Sequence, residues 1–222
     1  MIPSVPKLRH KREAPTLDIE EAYWKQGVVH IAGVDEAGRG PLAGPVVAGA
    51  VILPVGLIID GVNDSKKLSA KKREQLYHEI CSKALSIGVG IVTHDVIDRI
   101  NIYQASILAM RKAIEKLTRT PDLILADGNS FRHEVLRYQN IIAGDAKSVT
   151  IAAASIIAKV TRDSLMREYH EQFPQYGFDR HKGYGTKLHV EALRLHGLCP
   201  IHRRSFHIPD DSNHSTNDRV LS

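Results

Sequence analysis

Three apolar runs in this chain are each followed by acidic residues. Asp35 and Glu36 follow residues 31–34, Asp127 follows 123–126, and Asp145 lies just past 141–143. Runs of that composition read as strands, and ligands of open α/β sheets gather at the carboxyl ends of strands. Carboxylates brought to one rim repel each other and are stable as anions only with a cation among them. Oxygen-only ligation selects hard ions such as Mg²⁺ or Mn²⁺. A pair of such ions assists in-line attack of water on a phosphodiester. Singly, each of these acids would be an ordinary turn former or helix cap; the same chemistry at three strand ends weakens that reading. Neighbouring strand residues point to opposite faces, so Asp35 and Glu36 cannot both aim inward from a regular strand. Either the chain leaves β geometry toward Gly38, or one of the two acts through water or its main chain.

Residues 33–47 (GVDEAGRGPLAGPVV) carry the densest glycine pattern. Gly38 and Gly40 let another backbone or a ligand approach closely and expose amide donors, while Arg39 can pair with phosphate. Neither the P-loop nor the dinucleotide fingerprint is present. Lys66 and Lys67 suit phosphate contacts, whereas Lys72 and Arg73 read as the solvated start of a helix. Ser155, Lys159 and Arg162 fall about one and two turns apart, on one face of a helix. Asp163 reads as structural, and the twelve histidines are scattered, with none assigned a catalytic role.

The elements that must position these groups follow from patterning. Strands are expected at residues 29–34, 45–53, 87–93, 122–126 and 140–143. Helices are expected from a Ser69 cap to about Leu85, from Asp95 with a break near Asn101, from Ser148 to about Gln172, and over 187–196 before Gly197. Residues 174–186 read as a Gly/Tyr/His loop. Strands followed by strand–helix alternation imply an α/β fold, a mixed sheet with helices on its faces. Residues 1–27 read as an N-terminal extension in which 17–24 form a short amphipathic helix docking Leu17 and Trp24. Residues 28–206 form one domain, and 207–222 a polar tail expected to be disordered.

Composition narrows the partners. The 222 residues are 43% hydrophobic and 25% charged, which excludes disordered, collagenous and coiled-coil chains. Two cysteines fit a reducing cytoplasm, and no apolar stretch approaches the roughly 20 residues a membrane span needs. Residues 28–201 hold 22 Lys/Arg against 18 Asp/Glu. If four acids are neutralised around cations, that surplus steers the protein toward polyanions such as nucleic acid.

In seven ordered blocks the chain resembles the ribonuclease HII family, type 2 RNase H. These are GVDEAGRGPLAGPVV at 33–47, DSKKLS at 64–69, ADGN at 126–129, GD at 144–145, ASIIAKVTRD at 154–163, HKGYGT at 181–186 and HRRSF at 202–206. The resemblance implies an RNase H-like mixed five-stranded sheet flanked by helices, with a helical C-terminal part. It implies that Asp35, Glu36, Asp127 and Asp145 are the catalytic metal ligands for Mg²⁺ or Mn²⁺, with two ions during catalysis. Gly38, Arg39, Gly40 and Tyr184 correspond to elements that recognise the RNA–DNA junction, and Tyr184 could stack on the sugar after the ribonucleotide. Lys66 suits a phosphate contact, and the face carrying Ser155, Lys159 and Arg162 becomes a phosphate-binding ridge. The implied reaction cleaves RNA in RNA–DNA hybrids, and cuts 5′ of single ribonucleotides in duplex DNA, leaving 3′-hydroxyl and 5′-phosphate ends. A site that hydrogen-bonds the 2′-hydroxyl rejects DNA, which lacks it. Ribonuclease HIII is a poorer match, since its members typically carry an extra N-terminal domain and a different residue where Arg39 stands. A silent nucleic-acid-binding protein would have lost a carboxylate, and a small-molecule phosphatase would not need the basic surplus and Gly-Arg-Gly turn. A monomer is expected, and a sliding-clamp contact is not legible in the sequence.

Overall fold

A computed structural model describes residues 14–208. Five strands, β1 (Ile31–Ala37), β2 (Val46–Ile52), β3 (Ser86–Val92), β4 (Leu123–Asp127) and β5 (Tyr138–Ile141), form one mixed sheet in the order β3-β2-β1-β4-β5. β1 pairs antiparallel with β2 and parallel with β4; β2–β3 is antiparallel and β4–β5 parallel. The helices are α1 (Asp18–Trp24), α2 (Ala70–Lys83), α3 (His94–Glu115), α4 (Val149–Gln172), α5 (Phe178–His181) and α6 (Lys187–His196). This is the α/β architecture that the patterning implies.

The sheet is buried on both faces. Val34, Ala48, Ala50, Ile124 and Ala126 pack with Ile97, Ala105, Ala109 and Ala113 of α3. Val51 packs with α2 and with Ala152, Ala153, Ile156 and Ile157 of α4 on the opposite face. β2 is therefore buried along its whole length, as its unbroken apolar run requires. Alpha-4 sits close because the strands beneath it lack side chains at two positions. A Cβ on Gly49 would lie 2.5 Å from the Ala154 carbonyl oxygen, and one on Gly33 would collide with the backbone of Thr150.

Local signals mostly hold. The Ser69 and Ser148 hydroxyls cap α2 and α4 by accepting from the Lys72 and Ile151 amides. Asn101 interrupts α3 at φ 66°, and its side chain accepts from the Gln104 amide, which restarts the helix. Several boundaries differ from expectation, among them three near the site. β1 runs on through Asp35 and Glu36 to Ala37, β5 begins at Tyr138, and the 174–186 loop contains the short α5. Pairing with β2 extends β1, and pairing with β4 starts β5 early, overriding the local sequence at these two edges.

α1 forms as expected, with Leu17 and Trp24 packed on the body. Its Glu20 is fully buried and accepts from Ser148 Oγ, the Thr150 amide and Thr150 Oγ1 at 2.6, 3.0 and 2.8 Å. It thus places a carboxylate at the N-terminus of α4, where the helix dipole favours it. The expected disordered tail lies outside the described residues from 209 onward.

Candidate active site

The parallel register of β1 and β4 pairs Val34 with Ala126, so the next residues, Asp35 and Asp127, stand side by side at one rim of the sheet. Asp35 shares the α4 face with Gly33, while Glu36 turns to the α3 side of the same rim. The chain does not leave β geometry before Gly38, since Glu36 still pairs with Ala48 and Ala37 with Val47. The two neighbouring acids therefore straddle the sheet edge. Asp145 arrives from a separate turn: Ala143 adopts a left-handed conformation, and Gly144–Ala146 form one turn of 3-10 helix. The Gly144 amide donates to Asp127 Oδ1 at 2.6 Å, tying that turn to β4.

The electrostatics bear the mark of crowded anions. Burial, then Glu36, Asp127 and Asp145, raise the Asp35 carboxyl well above its usual range, against a hydrogen bond from the Glu36 amide. Burial also raises Glu36, with Arg39 offsetting part of the effect from an ion pair at 3.2 Å. Asp145 is raised by burial and by Asp127 and Asp64. Burial opposes the Lys66 ammonium, yet Asp35, Asp145, Asp64 and Asp127 push its pKa up. Lys66 is thus the cation that faces the whole acidic group.

Among the described residues no three Asp, Glu, His or Cys side chains converge tightly enough to hold an ion unaided. The donor set still fits Mg²⁺ or Mn²⁺. It is all oxygen, burial and neighbouring carboxylates raise Asp35, Glu36 and Asp145, and such ions keep waters and share their shell with substrate phosphate. A cleft of about 410 Å³ opens over it, lined by Asp35, Glu36, Asp127, Gly38, Arg39, Gly40, Lys66, Lys159 and Tyr184. Gly38 needs to be glycine: φ is 99°, and a Cβ would collide with the Arg162 side chain. Gly40 has no such strain, and a Cβ there would rest 3.7 Å from the Tyr184 ring. The space between them is open to a ligand. Tyr184 is 42% exposed, with the Lys159 ammonium and the Arg162 guanidinium each 5.9 Å from its ring centroid.

The expected ridge of Ser155, Lys159 and Arg162 does not face solvent as a unit. Ser155 is buried and accepts from the Ser65 amide at 3.3 Å. Arg162 is fully buried and spends its guanidinium on the Pro45, Lys182 and Ala43 carbonyls. Only Lys159 reaches the cleft, bonded at 2.8 Å to Asp163. Helical spacing identified the shared face, but Ser65, the segment before β2 and Lys182 cover most of it. Arg73, read as solvated, instead lines the cleft and donates to the Ser65 and Leu68 carbonyls at 2.8 and 2.6 Å. Arg203 was missed altogether, although HRRSF was among the resembling blocks.

The family model for ribonuclease HII matches residues 32–208. The chain is 54% identical over 200 residues to a ribonuclease HII of Listeria monocytogenes, covering 90% of this chain and 76% of that one. It is 59% identical over 182 residues to a ribonuclease HII of Bacillus velezensis, covering 82% and 71%. The fold superposes on the crystal structure of ribonuclease H2 from Pyrococcus horikoshii with a TM-score of 0.68 at 28% identity, covering 81% of this chain and 94% of that one. All four carboxylates, the glycine turn and Tyr184 fall inside the matched span, and the chain belongs to the ribonuclease HII family, hydrolases of the ribonuclease H type.

Proposed function

We propose that this protein hydrolyses the RNA strand of RNA–DNA hybrids and incises duplex DNA on the 5′ side of a single embedded ribonucleotide, leaving 3′-hydroxyl and 5′-phosphate ends. One observation carries the reading: Asp35 and Asp127, side by side at two strand ends, share a cleft with the exposed Arg39–Gly40 backbone and Tyr184. Acidic ligands alone would suit any phosphodiester, and a glycine turn alone any anion. Their adjacency supports a site that cuts beside a sugar it inspects.

Asp35, Glu36, Asp127 and Asp145 would hold one or two Mg²⁺ or Mn²⁺ ions. When bound, such ions neutralise the scissile phosphate and acidify the attacking water. Lys66 and Lys159 face the cleft from two other elements and suit the non-bridging oxygens of flanking phosphates. The Gly38-Arg39-Gly40 turn would contact the 2′-hydroxyl, and the Tyr184 ring the next sugar. Cys81 and Cys199 are unbridged, which fits the reducing cytoplasm. Among the described residues no helix is long and apolar enough to cross a membrane.

The test is incubation with end-labelled duplex DNA containing one ribonucleotide, with and without Mg²⁺. A single cut 5′ of the ribonucleotide with a 3′-hydroxyl end, and an intact all-deoxy control, is the expected result. Cleavage in excess chelator, or a cyclic phosphate end, would overturn it, because that end marks attack by the 2′-hydroxyl and not by water.

A further inference from the structure

Two buried guanidiniums grip the segment from Gly38 to Pro45. Arg203, 2% exposed, donates from Nη2 to the Gly38 carbonyl at 2.6 Å and from Nη1 to the Arg39 carbonyl at 3.0 Å. Its Nε donates to Gly44 at 2.9 Å, and Nη2 also reaches Pro45 at 3.2 Å. Arg162 takes Ala43 and Pro45 from the other side. Of the two, only Arg203 holds the carbonyls at Gly38 and Arg39.

Within a trans peptide the C=O and the following N–H point in opposite directions. An arginine that draws the Gly38 and Arg39 carbonyls inward therefore turns the Arg39 and Gly40 amides outward. Both residues are exposed, and among the described residues neither amide donates to a protein acceptor. Two adjacent outward amides make a concave donor pair for an electronegative oxygen. The turn follows the arginine and not the reverse, because Arg203 is anchored elsewhere. Asp98 of α3 accepts from the Arg204 and Ser205 amides at 2.9 and 3.0 Å, which holds the chain next to Arg203 independently of the turn. The Phe206 ring lies 4.9 Å from its guanidinium.

We propose that Arg203 is the positioning residue for sugar recognition: it fixes the Gly38 and Arg39 peptides so that the Arg39 and Gly40 amides present paired donors to the 2′-oxygen of a ribonucleotide. The proposal rests on the RNA–DNA reading of the cleft. The fork geometry is the reason for arginine, since a lysine ammonium cannot hold both carbonyls in one plane while also reaching Gly44.

Arg203→Lys keeps the charge and loses the fork. Expected are a fall of about tenfold or more in kcat/KM on duplex DNA with one ribonucleotide, and affinity for the all-deoxy duplex within about twofold of wild type. Cooperative melting would show that the variant is folded. An equal loss on both duplexes, or kcat/KM within about threefold of wild type, would overturn the proposal. A second measurement needs no variant. In ¹⁵N spectra of the wild type, the Arg39 and Gly40 amides should shift more on adding the ribonucleotide duplex with Ca²⁺ than on adding its all-deoxy counterpart, and equal shifts would refute the pairing. Failure of wild type to cut the ribonucleotide duplex would instead refute the underlying reading.

Discussion

Asp35 and Asp127 stand side by side on two parallel strands, and burial together with Glu36, Asp127 and Asp145 makes Asp35 harder to ionise. A carboxyl whose folded pKa is raised costs nothing at pH below its unfolded value near 3.8, and costs progressively more as pH climbs toward the folded value. At neutral pH the metal-free protein therefore bears that cost. Asp35→Asn removes it and should raise the Tm of the metal-free protein by a few degrees, at roughly 2–4 °C per kcal/mol for a domain of this size. The same variant should lose cleavage by orders of magnitude, and Mg²⁺ should stabilise wild type but not the variant. Calorimetry with and without Mg²⁺ checks both; retained cleavage would remove Asp35 from the site. Asp127→Asn should lose cleavage to a similar degree. At Tyr184 the expectation concerns selectivity. Tyr184→Ala should weaken cutting at a lone ribonucleotide more than within continuous RNA, because the sugar facing the ring is a deoxyribose only in the former. Stacking of this kind is worth about 1–3 kcal/mol, or roughly tenfold to a hundredfold in kcat/KM. Equal losses on the two substrates would return Tyr184 to a packing role.

At the scale of elements, α1 and α4 share an interaction that neither could make alone. Glu20 takes three hydrogen bonds at the start of α4, two residues beyond the turn that carries Asp145. The Thr16 amide donates to the Lys147 carbonyl and the Val149 amide to Thr16, which lays the N-terminal segment along that turn. Glu20→Ala leaves buried donors without partners and should cost about 2–4 kcal/mol. Urea unfolding gives the stability change, and the fully folded variant should also show weaker Mg²⁺ dependence of its Tm, because the Asp145 turn has lost a support. An unchanged urea midpoint would show that water replaces the carboxylate there.

Across the whole molecule, the C-terminal part closes on the glycine turn through histidines that must stay neutral. His189 Nδ1 bonds the Tyr184 carbonyl at 2.9 Å, its Nε2 meets His202 Nε2 at 3.0 Å, and the Cys199 amide donates to His202 Nδ1 at 2.9 Å. One tautomer set satisfies all three contacts: His189 protonated on Nδ1 and His202 on Nε2. His181 stacks on His189 at 4.4 Å, and Tyr176 and Phe178 complete the enclosure. Burial pushes His189 and His202 each down to about 4. Their folded pKa values lie below the unfolded 6.5, so stability is full above that pH and falls as pH drops toward 4. The contribution of this pair to the Tm should therefore be nearly level above pH 7 and decline by several degrees between about pH 6.5 and 4. Imidazole resonances of His189 or His202 that titrate near 6.5 in the folded protein would contradict this.

Local patterning was enough to read the elements and to pick out the acids that follow three of the strands. Apolar runs of strand length, serine caps at positions 69 and 148, and the Asn101 break are local effects, set by backbone sterics and side-chain hydrogen bonds within a few residues. The acids were legible because each follows an apolar run of strand length, whatever the loops do. Which polar side chains face the cleft depended instead on contacts between distant parts of the chain. Ser155, Lys159 and Arg162 share a helix face, yet residues 43–45 and 182 arrive from distant chain and bury Arg162, while Arg73 swings in from α2. Arg203 and the paired histidines were invisible for the same reason. A long polar side chain is satisfied by whatever carbonyls the fold delivers to it, and those carbonyls lie up to 165 residues away in sequence.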